Sequence, residues 1–431
     1  LKGRQILFCV FLCVLIGGLN NVSYAQTPAT HTATDSIPKQ RSLADEYDIS
    51  DLFVDLFHPA KKADSTRKQR RSPITYMPNI AYNPSIGAQI GIKAVAGKVL
   101  GKDPNTLMSV GATSASITTK GIIYFYLSHN VYTNANRWNF QGSLVVAKTV
   151  SPDRGIGIGY APNDDPNTIL LTNPGRTEVF VQKAIYYKFQ EKVYKQIFNH
   201  LFVGAGLSFD IRNNIKQGSH DVKTPYELYN EKYGFADDHY AANGFLFNVQ
   251  YTTRDNQNQA FRGIYADVGV RTNQTWLGSS KSVTQITTDF RKYWSLSKEN
   301  PEHVIAFWHW GAYTLNGAMP YMELAGSARD LGARSARAYT FGYFRGPNYF
   351  DSELEYRFPI LKNKFISGAT FFSMQTASDG LGTKLFDRWQ PAGGAGLRVL
   401  FNKATRTNLC IDYAIGKYGA KGLFLGLNEA F

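Results

Sequence analysis

Cysteine is scarce in this chain, with three residues among 431, at positions 9, 13 and 410. The first two lie in an apolar segment near the start that reads as a removable signal. Only Cys410 then remains, and neither a disulfide framework nor a Cys-x-x-Cys redox or zinc site can be built from it. Long hydrophobic runs are missing too. Nothing after the first thirty residues holds the ~18 consecutive apolar residues of a membrane helix. No His-Glu-x-x-His and no Gly-x-Ser-x-Gly occurs, and no plausible Ser/His/Asp order is found. "GIGIG" (155–159) is not followed by a helical pattern, which excludes a phosphate loop. Glu353 and Glu355 sit on a charge-rich face unlike a glycosidase pair. His303 and His309 have no identifiable metal partner and read as strand polarity. The expectation is a protein without cofactor, metal or catalytic residues.

Aromatic residues, by contrast, make up 14% of the chain, and the formal net charge is +14. Basic charge of this size often signals nucleic acid, but the start of the chain argues against that partner. "LKGRQILFCVFLCVLIGGLNNVSYAQ" joins Lys2 and Arg4 to an apolar run from Ile6 to Ile16, then Ser23-Tyr24-Ala25. That is a secretory signal over 1–25. A lipoprotein reading at Cys13 would want a small residue where Leu12 stands. The exported chain should meet no nucleic acid, and its basic excess suits anionic lipid head groups and lipopolysaccharide.

Residues 26–72 read as a periplasmic linker. "DEYDISDLFVDLFHP" within it sets Ile49, Leu52, Phe53 and Leu56 near one side of a short amphipathic helix that Pro59 would end. "KKADSTRKQRRS" (61–72) is a solvated basic run.

From Pro73 to Phe431 the pattern becomes strand-like. "LFVGAGLSFDIR" alternates Leu201, Val203, Ala205, Leu207, Phe209 and Ile211 with Gly204, Gly206, Ser208, Asp210 and Arg212. "GFLFNVQYTTR", "GIYADVGVR" and "TNLCIDYAIG" do the same. Successive side chains of a strand point to opposite faces, so each segment has an oily and a polar side. A soluble sheet would show this alternation as well. Three features favour a barrel with its oily side outward. The polar side carries ionic residues that an aqueous lumen can solvate. "FWHW" (307–310) and "RKYWSL" (291–296) look like interfacial aromatics. The last strand closes on Phe431. Lipid requires every backbone group to be paired, so the sheet must close. At ~22 residues per strand and loop, 73–431 allow about 16 strands of ~9–11 residues. The fold class expected is all-β, a closed antiparallel transmembrane β-barrel.

One stretch is more specific. "ARAYTFGYFRGPNYFDSELEYRFPI" (336–360) places Asp351, Glu353, Glu355 and Arg357 on one parity, and Phe350, Leu354, Tyr356 and Phe358 on the other. The carboxylates would face inward, within reach of arginines in the preceding loop, and a bidentate pair would pin that loop inside.

This stretch resembles the signature of the BamA/TamA-like outer-membrane assembly barrels, the bacterial surface antigen family. Arg337-Ala338-Tyr339 is similar to that family's Arg-Gly-aromatic loop motif, and Arg345-Gly346 supplies a second such element. Glu355-Tyr356-Arg357-Phe358-Pro359 matches the strand that follows. "YTTRDNQNQAFRG" (251–263), with Arg254, Asp255 and Asn256, resembles a family turn. "DRGIGIG" (153–159) is similar to a glycine-rich strand start. "GLFLGLNEAF" (422–431) looks like the last strand, whose terminal aromatic, Phe431, would serve as insertion signal. Two positions depart from the pattern. Ala338 stands where glycine is usual, which would restrict the turn to ordinary backbone angles, and Ser373 stands where an aspartate usually helps hold the loop. Glu353 and Glu355 would then hold the loop alone, or the lock would be looser.

The resemblance implies insertion or translocation of outer-membrane or surface proteins, by a short member without tandem periplasmic POTRA domains. Such a protein would work with periplasmic or outer-membrane assembly partners, or as an accessory subunit. Gly91 in "IGAQIGIKAVAG" (86–97), with Gly422 and Gly426, would either weaken a seam between first and last strands or only relieve crowding in a curved wall. That seam could template an incoming edge strand. Two alternatives stand beside this one. One is a passive channel or structural barrel that keeps the scaffold. The other is a lipid-modifying enzyme, for which no Ser/His pair can be assembled.

Overall fold

A computed structural model describes residues 45–57, 74–79, 81–83, 87–103, 106–159, 179–218, 220–330 and 332–431. The signal segment 1–25 and the basic run 61–72 lie outside the described residues, as do the other positions not named here.

Alternating segments make strands here because β-branched and aromatic side chains fit a pleated surface. The first are β1 (Ile74–Pro78), β2 (Ala81–Asn83), β3 (Gly87–Val99), β4 (Met108–Thr118) and β5 (Ile123–Tyr132). Next come β6 (Trp138–Asp153), β7 (Phe180–Phe198), β8 (Leu201–Gln217), β9 (Tyr240–Thr252) and β10 (Gly263–Asn273). Then follow β11 (Val283–Ser295), β12 (Val304–Asn316) and two short pieces, β13 (Ala325–Gly326) and β14 (Arg345–Gly346). The last are β15 (Asn348–Pro359), β16 (Ile366–Ala377), β17 (Gln390–Asn402), β18 (Thr407–Gly416) and β19 (Lys421–Leu427).

All but β13 and β14 join one antiparallel sheet of 17 segments. Both β1 and β2 pair with β3, so they form one interrupted strand, and the ladder has about 16 places as the strand arithmetic expects. Neighbours in sequence are neighbours in the ladder, except that β12 pairs with β15 across the 31-residue connection 317–347. β19 lies beside β2, without a registered ladder between them among the described residues.

Which side faces out is now decided. Ile92 is 67% exposed, Phe247 51%, Leu354 52% and Ile415 56%, whereas Asp210 and Glu355 are both 0% exposed. Apolar residues outside and carboxylates inside invert the arrangement of a water-soluble sheet. An exposed band of this extent needs an apolar surrounding. Trp308 corrects one expectation: it is 1% exposed and faces the interior, so "FWHW" is not an outer girdle. Trp294 is exposed.

The two ends of the sheet differ. Connections 100–107, 133–137, 199–200, 253–262, 296–303, 360–365 and 403–406 share the end where β1 begins and β19 stops. The opposite end carries the longest connections: 154–179, 218–239, 317–347 and 378–389. Long loops at one end and short turns at the other are the pattern of outer-membrane barrels.

Helix α1 (Ile49–Phe57) rests at the short-turn end. Lys403 ties it there, donating from Nζ to the Glu46 carbonyl (3.0 Å) and to Asp51 (2.7 Å). Tyr47 donates its N–H to the Asn363 carbonyl and meets Phe365 edge to face. Phe53, Leu56 and Phe57 on α1 are exposed. At the long-loop end, α2 (Pro225–Tyr233) starts in a Thr224/Glu227 capping box and stops at Gly234, φ 67°. Its Tyr226 and Tyr229 pack on Tyr321, Met319 and Ile156 over the interior.

"DRGIGIG" is not a strand start. Asp153 ends β6, and the following residues turn inward, burying Ile156 and Ile158 and pairing Gly157 with Arg345 in an isolated bridge. The two positive-φ glycines, Gly155 (φ 86°) and Gly157 (φ 95°), permit that path.

The loop lock and the seam

Connection 317–347 enters the interior and lines the inner face of β15 to β18. Tyr339, Tyr343 and Phe344 pack there with Phe371, Ala392 and Ala414. The interior also holds a cavity of about 770 Å³, lined by residues such as Ser116, Tyr124, Lys188, Asn248 and Gln285.

At the tip of the loop Arg337 is 4% exposed. Its Nε donates to Glu353 Oε2 (3.3 Å), and its Nη2 donates to Glu353 Oε1 and to Glu355 Oε2. Its Nη1 donates to Asp412 Oδ2 at 2.9 Å. The guanidinium carbon lies 3.5 Å from the centre of the Phe371 ring. Burial alone would lower the affinity of Arg337 for its proton, but Glu353, Glu355 and Asp412 outweigh it and hold the group above its ordinary pKa. A planar fork with donors on several edges suits this meeting of three carboxylates; a lysine ammonium could not span it.

The network continues along the inner wall. Arg357 donates to Glu355 (2.6 Å), and Arg398 donates to Glu429 (2.8 Å) and bonds Asp412. Ser373 sits opposite Glu353 in the β15–β16 register. The loop is therefore not held by Glu353 and Glu355 alone. Asp412 from β18 supplies the third acceptor, and Arg398 and Glu429 extend the chain of charges. Asp412 already stood on the polar side of "TNLCIDYAIG". What the sequence did not show was that the loop tip reaches β18 as well as β15.

Ala338 does not keep ordinary backbone angles. It adopts φ 96°, the left-handed region that glycine enters freely, with its methyl buried. Tyr339 explains why the turn is held. Its hydroxyl donates to the Pro391 carbonyl and accepts from the Lys417 N–H, both at 2.8 Å. Its ring lies over Gly416, where a Cβ would come within 2.6 Å of it. Arg345 is buried, donates to the Gly342 carbonyl (3.1 Å), and lies 4.9 Å from the Tyr321 ring centre and 3.9 Å from Asp153. Gly346 passes so close to Ser378 that a Cβ would stand 1.9 Å from its carbonyl oxygen.

The turn 253–262 carries the remaining motif. Asp255 accepts from the N–H groups of Phe261 (2.9 Å) and Arg262, and from Arg406 (2.7 Å). Asn256 accepts from the N–H groups of Asn258 and Gln259. Arg254 covers the Tyr265 ring at 4.3 Å.

The seam differs from the expected one. Gly91 lies in β3, one place in from the edge, because β1 and β2 form the outermost strand. A Cβ at Gly91 would stand 2.2 Å from the Ala115 carbonyl oxygen, so crowding alone accounts for that glycine. Gly422 and Gly426 do lie on the edge strand β19, and Gly426 has open space around its Cβ position. β19 stops at Leu427. Asn428 turns at φ 67°, and the tail enters the interior. Phe431 is 5% exposed and stacks on Trp308, ring centres 5.1 Å apart. Its carbonyl accepts from Arg357 at 3.0 Å. The aromatic read as the insertion signal of the last strand lies in the interior.

The Omp85 superfamily domain matches residues 108–421. The chain belongs to the Omp85 superfamily. Among solved structures, the chain is similar to BamA from Haemophilus ducreyi lacking POTRA domains 1–3, with 14% identity and a TM-score of 0.52. That match covers 83% of this chain and 69% of that shortened BamA chain. It is also similar to CdiB from Escherichia coli, with 9% identity and a TM-score of 0.50, covering 83% of this chain and 62% of that one. No curated protein sequence matches significantly. At these identities the likeness establishes the shared Omp85 fold.

Proposed function

We propose that this Omp85 protein closes its sheet into a transmembrane barrel of a Gram-negative outer membrane and takes part in inserting or translocating other outer-membrane or surface proteins. The observation that carries the reading is the inserted loop. Arg337 at its tip is bonded to carboxylates of β15 and β18, next to β19, the strand that lies beside β2. The first strand at this junction is itself short and interrupted, as β1 and β2, and an opening there would offer β19 as a free edge for strand addition. The chemistry is templated backbone pairing, so no catalytic residue, cofactor or metal is invoked. Lipid and lipopolysaccharide are its surroundings. Its partners are the client polypeptide and separate periplasmic or outer-membrane assembly proteins, with this chain as an accessory subunit among them.

Depletion of the protein in cells, followed by quantification of other outer-membrane barrels, tests the reading. Their levels fall if it is correct and stay normal if it is wrong. A second reading, a passive channel or structural barrel, is favoured by the interior cavity of about 770 Å³. A large and steady conductance in planar bilayers, with unchanged barrel levels after depletion, would support that reading instead.

A further inference from the structure

One arginine of the inserted loop touches the seam strand itself. Arg334 donates from Nη1 to the Asn428 carbonyl at 3.0 Å and to the Glu429 carbonyl, and from Nη2 to the Leu427 carbonyl. Successive carbonyls of an extended strand point alternately to opposite neighbours. One guanidinium can therefore hold three in a row only if the strand has ended. Asn428, at φ 67°, supplies that end by turning the chain, a conformation asparagine tolerates better than most residues. The forked guanidinium then stands where the N–H groups of a partner strand would stand.

The loop side of this contact is firmly mounted. The Asp330 carboxylate accepts the N–H groups of Gly332 (3.0 Å), Arg334 (2.9 Å) and Ser335 (2.7 Å). On the tail side, Glu429 is held by Arg398 and Asn408, both at 2.8 Å, and Phe431 by Trp308 and Arg357. Those holds all come from the sheet. Arg334 is the contact that comes from the loop.

We propose that Arg334 is a positioning residue that couples the inserted loop to the seam: while the loop is seated, β19 is stopped at Leu427 and its end is turned inward, and withdrawal of the loop tip releases residues 428–431 to lengthen the seam strand. The inference rests on the seam reading above and adds its control. Four residues in extended conformation add ~13 Å of pairing edge, against seven residues in β19. The loop's position and the length of the templating edge thereby become one variable.

Cys410 reports on the tail directly. Its thiol is buried, with Sγ 3.2 Å from the Asn428 carbonyl. The experiment measures alkylation of Cys410 by a maleimide in lipid vesicles, in a Cys9→Ser, Cys13→Ser background. Arg334→Gln keeps a polar side chain but loses the fork, and should raise the alkylation rate at least tenfold. Arg334→Lys, which can still reach one carbonyl, should fall between the two. Protease cleavage within 330–348 should stay at the wild-type level, because Arg337 still seats the loop. A wild-type alkylation rate in both variants overturns the proposal. So does acceleration accompanied by loss of protease resistance across the whole barrel, which would mark general unfolding. If the glutamine variant does not fold, the lysine variant carries the test by the same two outcomes. No client protein is present, so this result is independent of the depletion experiment.

Discussion

Arg337 and Asp412 are 75 residues apart in the chain and 2.9 Å apart in the structure, the one on an inserted loop and the other on the strand before the seam. Together with Glu353 and Glu355 this contact fixes the loop against the inner wall. Removing one partner of a buried ion pair costs about 3–5 kcal/mol, because the charges left behind stay unpaired. Arg337→Ala should therefore loosen the loop and raise protease cleavage within 330–348, with the wall strands still resistant. Arg337→Lys should recover only part of the loss.

The backbone at Ala338 gives a contrasting pair of substitutions. Left-handed angles cost a side-chain-bearing residue roughly 1–2 kcal/mol. Glycine relieves this, but it loses a buried methyl and pays more chain entropy, about 0.5–1 kcal/mol. Ala338→Gly should leave thermal stability nearly unchanged, within about 1 kcal/mol. Ala338→Val, β-branched at φ 96° in a buried turn, should expel the loop and reproduce the cleavage pattern of Arg337→Ala.

Trp308 and Phe431 allow an optical test of the tail. Removing a buried phenylalanine ring costs about 3–5 kcal/mol. Phe431→Ala should uncover Trp308, increasing its quenching by acrylamide and shifting its emission to longer wavelength. In a Trp308→Phe background the same substitution should change neither.

Lys403 is one of several residues that hold the N-terminal segment, with Asn363, Lys364 and Phe365. Lys403→Ala removes the side-chain bonds to Glu46 and Asp51, each charge-assisted and worth about 1.5–3 kcal/mol at most when buried. Cleavage within residues 45–57 should increase, with the barrel's resistance to protease unchanged.

Much of this architecture was legible in the sequence, for a simple reason. A strand between lipid and a wet interior writes its environment on every second residue, so Leu354, Tyr356 and Glu353, Glu355 declared their sides locally. The strand count followed from repeat length. What stayed hidden depends on pairs far apart in the chain. Asp412 was recognisable as inward-facing, but nothing local said that a loop arginine would reach it. Phe431 and Trp308 had the chemistry of interfacial aromatics. Only the turn at Asn428 and the Arg334 contact show that the tail goes inside. The outermost strand was misplaced because Ile74–Pro78 and Ala81–Asn83 are short and interrupted, and the longer alternation after Gly87 drew the edge inward. Ala338 was expected in ordinary angles from steric preference, and the packing of Tyr339 on Gly416 overrides that preference.

The central claim is that the outer face meets acyl chains while the ionic face encloses water and the loop. Nitroxide labels placed singly at positions 354, 372 and 413, in a Cys9→Ser, Cys13→Ser, Cys410→Ser background in lipid vesicles, test it directly. The account predicts strong relaxation by dissolved oxygen and little by a water-soluble nickel chelate at all three positions. Greater accessibility to the nickel chelate than to oxygen at these positions would contradict it.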